Sequence, residues 1–167
     1  MKTAAVLDKY RKLIEGLLSV ADTDRGYHPP KIEFLWSANG WSDWHPIGEI
    51  NPKKRELQDW MVGGYKLMID DKQAASWKLY QMPHCCAICV SCNALVDPAF
   101  RSKRLGSTLN SLRQEIARLL GYSLLLCTDV TKNEHQRRLL KTQGWKDIYE
   151  VYNKRTTNNV VISVINI

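Results

Sequence analysis

Several features that would take this chain out of the ordinary globular class are missing. No stretch of its 167 residues approaches the roughly 20 apolar residues needed to span a bilayer. Residues 1–18 alternate charge with apolarity, so they lack the unbroken apolar centre of a signal peptide, and the chain is expected to be made and kept in the cytoplasm. An even, spaced set of cysteines is also missing. There are five, with 85, 86, 89 and 92 bunched together, which excludes the usual secreted disulfide framework and leaves reduced thiols as the expectation. There is no internal repeat, low-complexity tract or linker, and no long basic run. Helix-turn-helix, zinc-finger and aromatic-platform signatures are lacking too, so nucleic acid is not the expected partner.

What is present fits one α/β domain over residues 1–167. Hydrophobic residues make up 44% and charged residues 25%, a mix from which a chain of this length builds a single core without staples. Lys and Arg number 24 against 17 Asp and Glu, a formal charge of +7. The distribution of that charge says more than its sum. Basic residues gather at Lys53, Lys54 and Arg55, at Arg101, Lys103 and Arg104, and at Arg137, Arg138 and Lys141.

Periodicity gives the order of elements. Val6, Leu7, Tyr10, Leu13, Ile14, Leu17 and Leu18 share one face of a helix over 4–20. Pro29 and Pro30 stop it, and 32–36 is a short apolar strand. Residues 37–50 combine turn chemistry with Trp41 and Trp44, a loop that needs something to pack against. Asn51 and Pro52 open a helix that Gly63 and Gly64 are expected to end. Strands follow over 65–69, 75–82 and 85–96. Leu105, Leu109, Leu112, Ile116 and Leu119 then recur at helical spacing over 106–120, closed by Gly121. A buried strand over 123–127, a helix over 133–143 ended by Gly144, and strands over 145–152 and 160–165 complete the chain. Strand 85–96, helix 106–120 and strand 123–127 form a βαβ unit, expected to be parallel. Ligands of such units sit at the carboxyl end of the first strand, beside the helix amino terminus.

That point falls on the segment Val96-Asp97-Pro98-Ala99-Phe100-Arg101-Ser102-Lys103-Arg104-Leu105-Gly106-Ser107. A cation-rich turn opening a helix offers unpaired backbone N–H groups, the positive end of the helix dipole and mobile positive charge together, which suits a phosphate or pyrophosphate. The other reading is a solvated basic turn. Cations oppose the dipole at a helix amino terminus, so their clustering here wants a reason.

At these residues the chain resembles the GNAT superfamily of acetyl-CoA-dependent acyltransferases. The family's pyrophosphate loop reads V-x-P-x-x-R/Q-x-x-G-x-G/A, and Val96, Pro98, Arg101 and Gly106 fall in register, with Arg104 replacing the middle glycine. A second family pattern, N-x-x-A-x-x-x-Y-x-x-x-G-F/W, is matched at Asn133, Gly144 and Trp145, with Gln136 and Leu140 replacing alanine and tyrosine. The resemblance covers about 51–167 as an acyltransferase-like core; 1–50, an N-terminal helix and a Trp-rich loop, is divergent. It implies a mixed, mostly antiparallel sheet with a central parallel βαβ unit flanked by helices.

The implied activity is transfer of an acetyl group from acetyl-CoA to an amine on a small molecule or protein. Backbone N–H groups of Ser102, Lys103, Arg104, Leu105, Gly106 and Ser107 would hold the pyrophosphate, with Arg101 beside them. Leu95 and Val96 would offer main-chain groups to the pantetheine arm, and Asn133 would contact it from the far side. Leu140 cannot serve as the proton donor that tyrosine supplies in many relatives. The alternative is a catalytically degenerate GNAT-fold protein used as a structural or interaction component, such as a virion protein of a tailed phage.

No catalytic base stands out. Strand 85–96 bears no carboxylate before Asp97, which leaves His45, Glu49 and Asp59 as candidates. Trp36, Trp41 and Trp44 fit an acceptor pocket, core packing, or a protein interface involving segment 36–60. The run His84-Cys85-Cys86-Ala87-Ile88-Cys89-Val90-Ser91-Cys92 has C-x-x-C spacings, but on a strand Cys86 and Cys89 face opposite sides and cannot chelate together, so no metal site is expected.

Overall fold

The computed structural model describes residues 2–19, 28–52, 61–101 and 104–167. Helix α1 (Thr3–Ser19) leads to strands β1 (Ile32–Ser37), β2 (His45–Pro46), β3 (Met61–Ile69), β4 (Lys72–Met82) and β5 (Cys85–Val96). A short 3-10 turn, Pro98–Phe100, precedes α2 (Leu105–Leu119). After it come β6 (Leu124–Val130), α3 (Glu134–Thr142), β7 (Lys146–Asn153) and β8 (Asn158–Asn166). The strands form one eight-stranded sheet in the order β2-β1-β3-β4-β5-β6-β8-β7. Every neighbouring pair is antiparallel except β5 and β6, which run parallel across the α2 crossover. This is the expected mixed sheet with a central βαβ unit.

Alternation builds the core. Tyr65 pairs with Trp77, Leu79 with Ser91, Gln81 with Cys89, Cys89 with Leu125, and Cys127 with Ser163. Ladder partners share a face, and all of these side chains are buried. The Tyr65 and Trp77 rings stack at 5.5 Å. Val6, Tyr10 and Ile14 of α1, and Leu105, Leu112 and Ile116 of α2, join the same core at 4% exposure or less. At about 1.5–3 kcal/mol for each large side chain removed from water, these helical faces hold the layers together. Gln143, just past α3, donates through Nε2 to the Ser107 carbonyl at 2.9 Å and to Ser107 Oγ at 2.8 Å, pinning α3 against the start of α2.

One expected element boundary is wrong. Gly63 and Gly64 do not end a helix; they lie inside β3, paired with Leu79 and Lys78. The glycines serve close packing instead. A Cβ at Gly63 would fall 2.2 Å from Nε1 of Trp36, and one at Gly64 would fall 2.5 Å from Cα of Gly40. Helix expectations over 53–60, with Lys53, Lys54, Arg55 and Asp59, lie outside the described residues. The loop 37–50 contributes the two-residue strand β2 and lays its tryptophans on the sheet: Lys66 Nζ sits 4.0 Å from the Trp44 ring centroid, and Lys78 Nζ 3.0 Å from that of Trp41.

Among the described residues no helix is long and apolar enough to cross a membrane.

Candidate functional site

The parallel ladder between β5 and β6 is short. It runs from Ile88 opposite Leu124 to Val90 opposite Leu126 and stops, although both strands continue. Past that point, among the described residues, β5 pairs only with β4, and β6 only with β8. A bulge marks the divergence: the β4–β5 register shifts between Ser76 and Lys78, and Asn93 on the bulged strand has φ +52°. The edge of residues 91–96 that faces β6 is therefore without a ladder partner, and the sheet opens there as a fork.

An open cleft of about 990 Å³ occupies this fork. Of the residues expected at a cofactor site, it brings together Leu95, Val96, Arg101, Arg104, Leu105, Gly106, Ser107 and Asn133. Ser102 and Lys103 lie outside the described residues. The turn between β5 and α2 is locally determined. Asp97 Oδ1 accepts from the Ala99 N–H at 2.9 Å and caps the 3-10 turn that Pro98 begins. Arg101 Nε donates to the Val96 carbonyl at 3.1 Å, across the base of the loop.

Arg104 is the N-cap of α2 and has φ +57°, ψ +10°, the left-handed conformation that glycine adopts without strain. Arginine here thus holds a backbone conformation that favours glycine. Its side chain makes no capping hydrogen bond. Gly106 has no positive φ, and a Cβ there would meet only Leu139, at an ordinary 3.8 Å. Neither backbone nor packing demands glycine at 106, and the residue lines the cleft at the first turn of α2. These two features fit a pyrophosphate-sized anion at the helix amino terminus.

Asn133 is also a helix cap. It lines the cleft, its Oδ1 caps α3 by accepting from the Gln136 N–H at 3.4 Å, and its Nδ2 donates to Asp129 Oδ1 at 3.1 Å. Leu140 is buried in the core at 1% exposure. Of the candidate bases, Glu49 and His45 do not line the cleft. Glu49 accepts from the Thr3 N–H at 3.3 Å, at the start of α1, and His45 is exposed on β2. Asp59 is outside the described residues. No carboxylate among the described residues lines the cleft.

Two titratable residues that the sequence did not single out do line it. His135 sits in the first turn of α3. Arg113, from the middle of α2, is 4% exposed. No local pattern flags Arg113, because it occupies a helix position that the 3.6-residue period leaves unremarkable. The cysteines at 85–92 all lie in β5, with Cys86 exposed and Cys89 buried, as strand alternation requires.

No protein-family model matches the chain, and no curated protein matches it in sequence. Solved structures do match. An IAA acetyltransferase from Bacillus cereus superposes with a TM-score of 0.58 at 13% identity, over 63% of this chain and 77% of that one. A GNAT family acetyltransferase from Elizabethkingia anophelis, with acetyl-CoA bound, gives a TM-score of 0.58 at 14% identity, over 63% and 76%. A Bacillus subtilis acetyltransferase in complex with CoA gives 0.55 at 15% identity, over 66% and 79%. The chain has the fold of the GNAT acetyltransferases.

Proposed function

We infer that the protein is an N-acetyltransferase that moves an acetyl group from acetyl-CoA to an amine. The observation that carries this reading is the meeting, in one cleft, of the open β5 edge with the left-handed turn at Arg104 that begins α2. Solved neighbours of the same fold hold acetyl-CoA or CoA. Acetyl-CoA supplies the activated acyl thioester. In this reading the backbone N–H groups of 102–107 receive the pyrophosphate, assisted by Arg101, Lys103 and Arg104, whose charges balance a dianion far better than a bare helix dipole. Main-chain groups of Leu95 and Val96 hold the pantetheine arm along the fork, and Asn133 closes the opposite wall. The acceptor is an amine on a small molecule or a protein, approaching the fork in a cytoplasmic setting.

A second reading has a specific observation in its favour. With Leu140 committed to the core and no carboxylate among the described residues lining the cleft, acid–base machinery of the usual kind is sparse there. A degenerate GNAT domain serving as a structural or interaction component, including a phage virion protein, would look like this. Its partner surface would include exposed Trp41 in segment 36–60.

Thermal unfolding with and without acetyl-CoA, followed by CoA release in the presence of a panel of amines, separates the readings. Saturation at a hundredfold the dissociation constant adds about 2.7 kcal/mol to stability. Binding with turnover supports the enzyme; binding without turnover for any amine supports the scaffold; no binding contradicts the cofactor reading.

A further inference from the structure

At the apex of the fork, where β5 and β6 part, stands a buried cation that makes no contact ion pair among the described residues. Arg113 donates through Nε to Asn110 Oδ1 at 2.5 Å and through NH1 to Ser91 Oγ at 3.1 Å. Ser91 follows Val90, the last β5 residue in the parallel ladder, and Cys127 follows Leu126, its partner. NH2 of Arg113 is buried and has no hydrogen-bond partner among the described residues. The guanidinium carbon lies 5.4 Å from the Trp145 ring centroid, which limits access of water from that side.

An arginine buried without a carboxylate in contact is costly, by several kcal/mol for an unpaired ion, and a perturbed buried charge beside a cleft marks a candidate functional group. The charged and titratable groups facing it from β6 are Cys127 and Asp129. Cys127 is held neutral, because burial pushes its thiol up to about 11. Asp129 does not form an ion pair with Arg113: its Oδ1 takes the Val130 N–H at 2.9 Å and Asn133 Nδ2, and its Oδ2 is buried without a partner among the described residues. Burial pulls the Arg113 pKa down, opposed by these two neighbours, and the side chain remains a cation at neutral pH.

We propose that Arg113 stabilises the thiolate of the departing CoA, taking by charge the part for which Leu140 has no proton to give. The inference rests on the acetyltransferase reading above. In the transfer, the amine nitrogen forms a bond to the thioester carbonyl carbon and the carbon–sulfur bond breaks. The electron pair of that bond goes to sulfur as thiolate, and the proton lost by nitrogen passes to solvent through the open cleft. Arginine does not give up a proton, so the sulfur departs as one member of an ion pair rather than as a thiol. A guanidinium desolvated beforehand needs no reorganisation at that moment, which is where a fixed charge is most effective.

The test titrates the thiol of bound CoA by its thiolate absorbance and measures steady-state rates in the same proteins. In the native protein the bound thiol should titrate at least about one unit below free CoA, a tenfold larger thiolate fraction. Arg113→Met should return it to the free value. The same variant should lower kcat about a hundredfold with little change in the KM for acetyl-CoA, and Arg113→Lys should recover part of both. Removing a lone buried charge is expected to leave the fold intact, and the titration of native protein alone decides the matter if it does not. CoA that binds with an unshifted thiol overturns the role of Arg113 and spares the cofactor reading; failure of native protein to bind CoA overturns both.

Discussion

Arg101 reaches back over its own turn to hydrogen-bond the Val96 carbonyl, 3.1 Å from its Nε. This fixes a long cationic side chain at the cleft. Arg101→Ala should therefore lose both the tether and the charge. The expected result is a rise of about tenfold or more in the dissociation constant for CoA, measured by calorimetry, since a charge-assisted contact is worth roughly 1.5–3 kcal/mol.

Arg104 gives a separable prediction, because its backbone has the left-handed conformation that favours glycine. A non-glycine residue in the left-handed region costs roughly 1–2 kcal/mol, of which glycine's extra unfolded-state freedom returns about half. Arg104→Gly should raise stability by about 0.5–1 kcal/mol in denaturant unfolding. CoA affinity should stay the same or weaken by several fold through loss of the cation. Stronger binding in the glycine variant would mean that the native side chain obstructs the cradle.

Lys78 is only 8% exposed, and Trp41 lies over its ammonium. A double-mutant cycle with Trp41→Ala and Lys78→Met should return a coupling of about 1–2 kcal/mol, the range for a partly desolvated cation–π pair. Additive effects would show that Trp41 is free to serve a partner instead.

The alkaline limb of stability should depend on Cys127. Burial first, with Asp129 and Asp147 adding and Arg113 opposing, raises its thiol from 9.0 to about 11 in the folded state. A raised folded-state value means that stability is complete below pH 9 and is lost as pH climbs to about 11, because only the unfolded thiol ionises in that window. The loss is on the order of 2–3 kcal/mol. Cys127→Ala should flatten that part of the profile in chemical unfolding. Tyr10, raised by burial to about 12, should still weaken the variant above pH 10.

Much of the fold is written in local patterns. The α2 period, the β5 run, and the glycines closing α2 and α3 are each set within a few residues, and their places were legible. Gly63 and Gly64 misled because their reason is distant: Trp36 and Gly40 press on them from another strand and its loop, and nothing nearby in sequence says so. The turn proposed for the cofactor stands out in the sequence because it is contiguous. Arg113 does not, since its place depends on where β5 and β6 separate, and the capping role of Asn133 shows only in the structure.

The most direct measurement compares acetyl-CoA binding to the native protein and to Gly106→Glu by calorimetry, with thermal unfolding as a control for the fold. The Cβ of residue 106 faces open space apart from Leu139, so the variant should fold with a nearly native melting temperature. Its carboxylate would occupy the place of the pyrophosphate beside the α2 amino terminus. The account predicts measurable binding to native protein and none to the variant; equal affinities would contradict it.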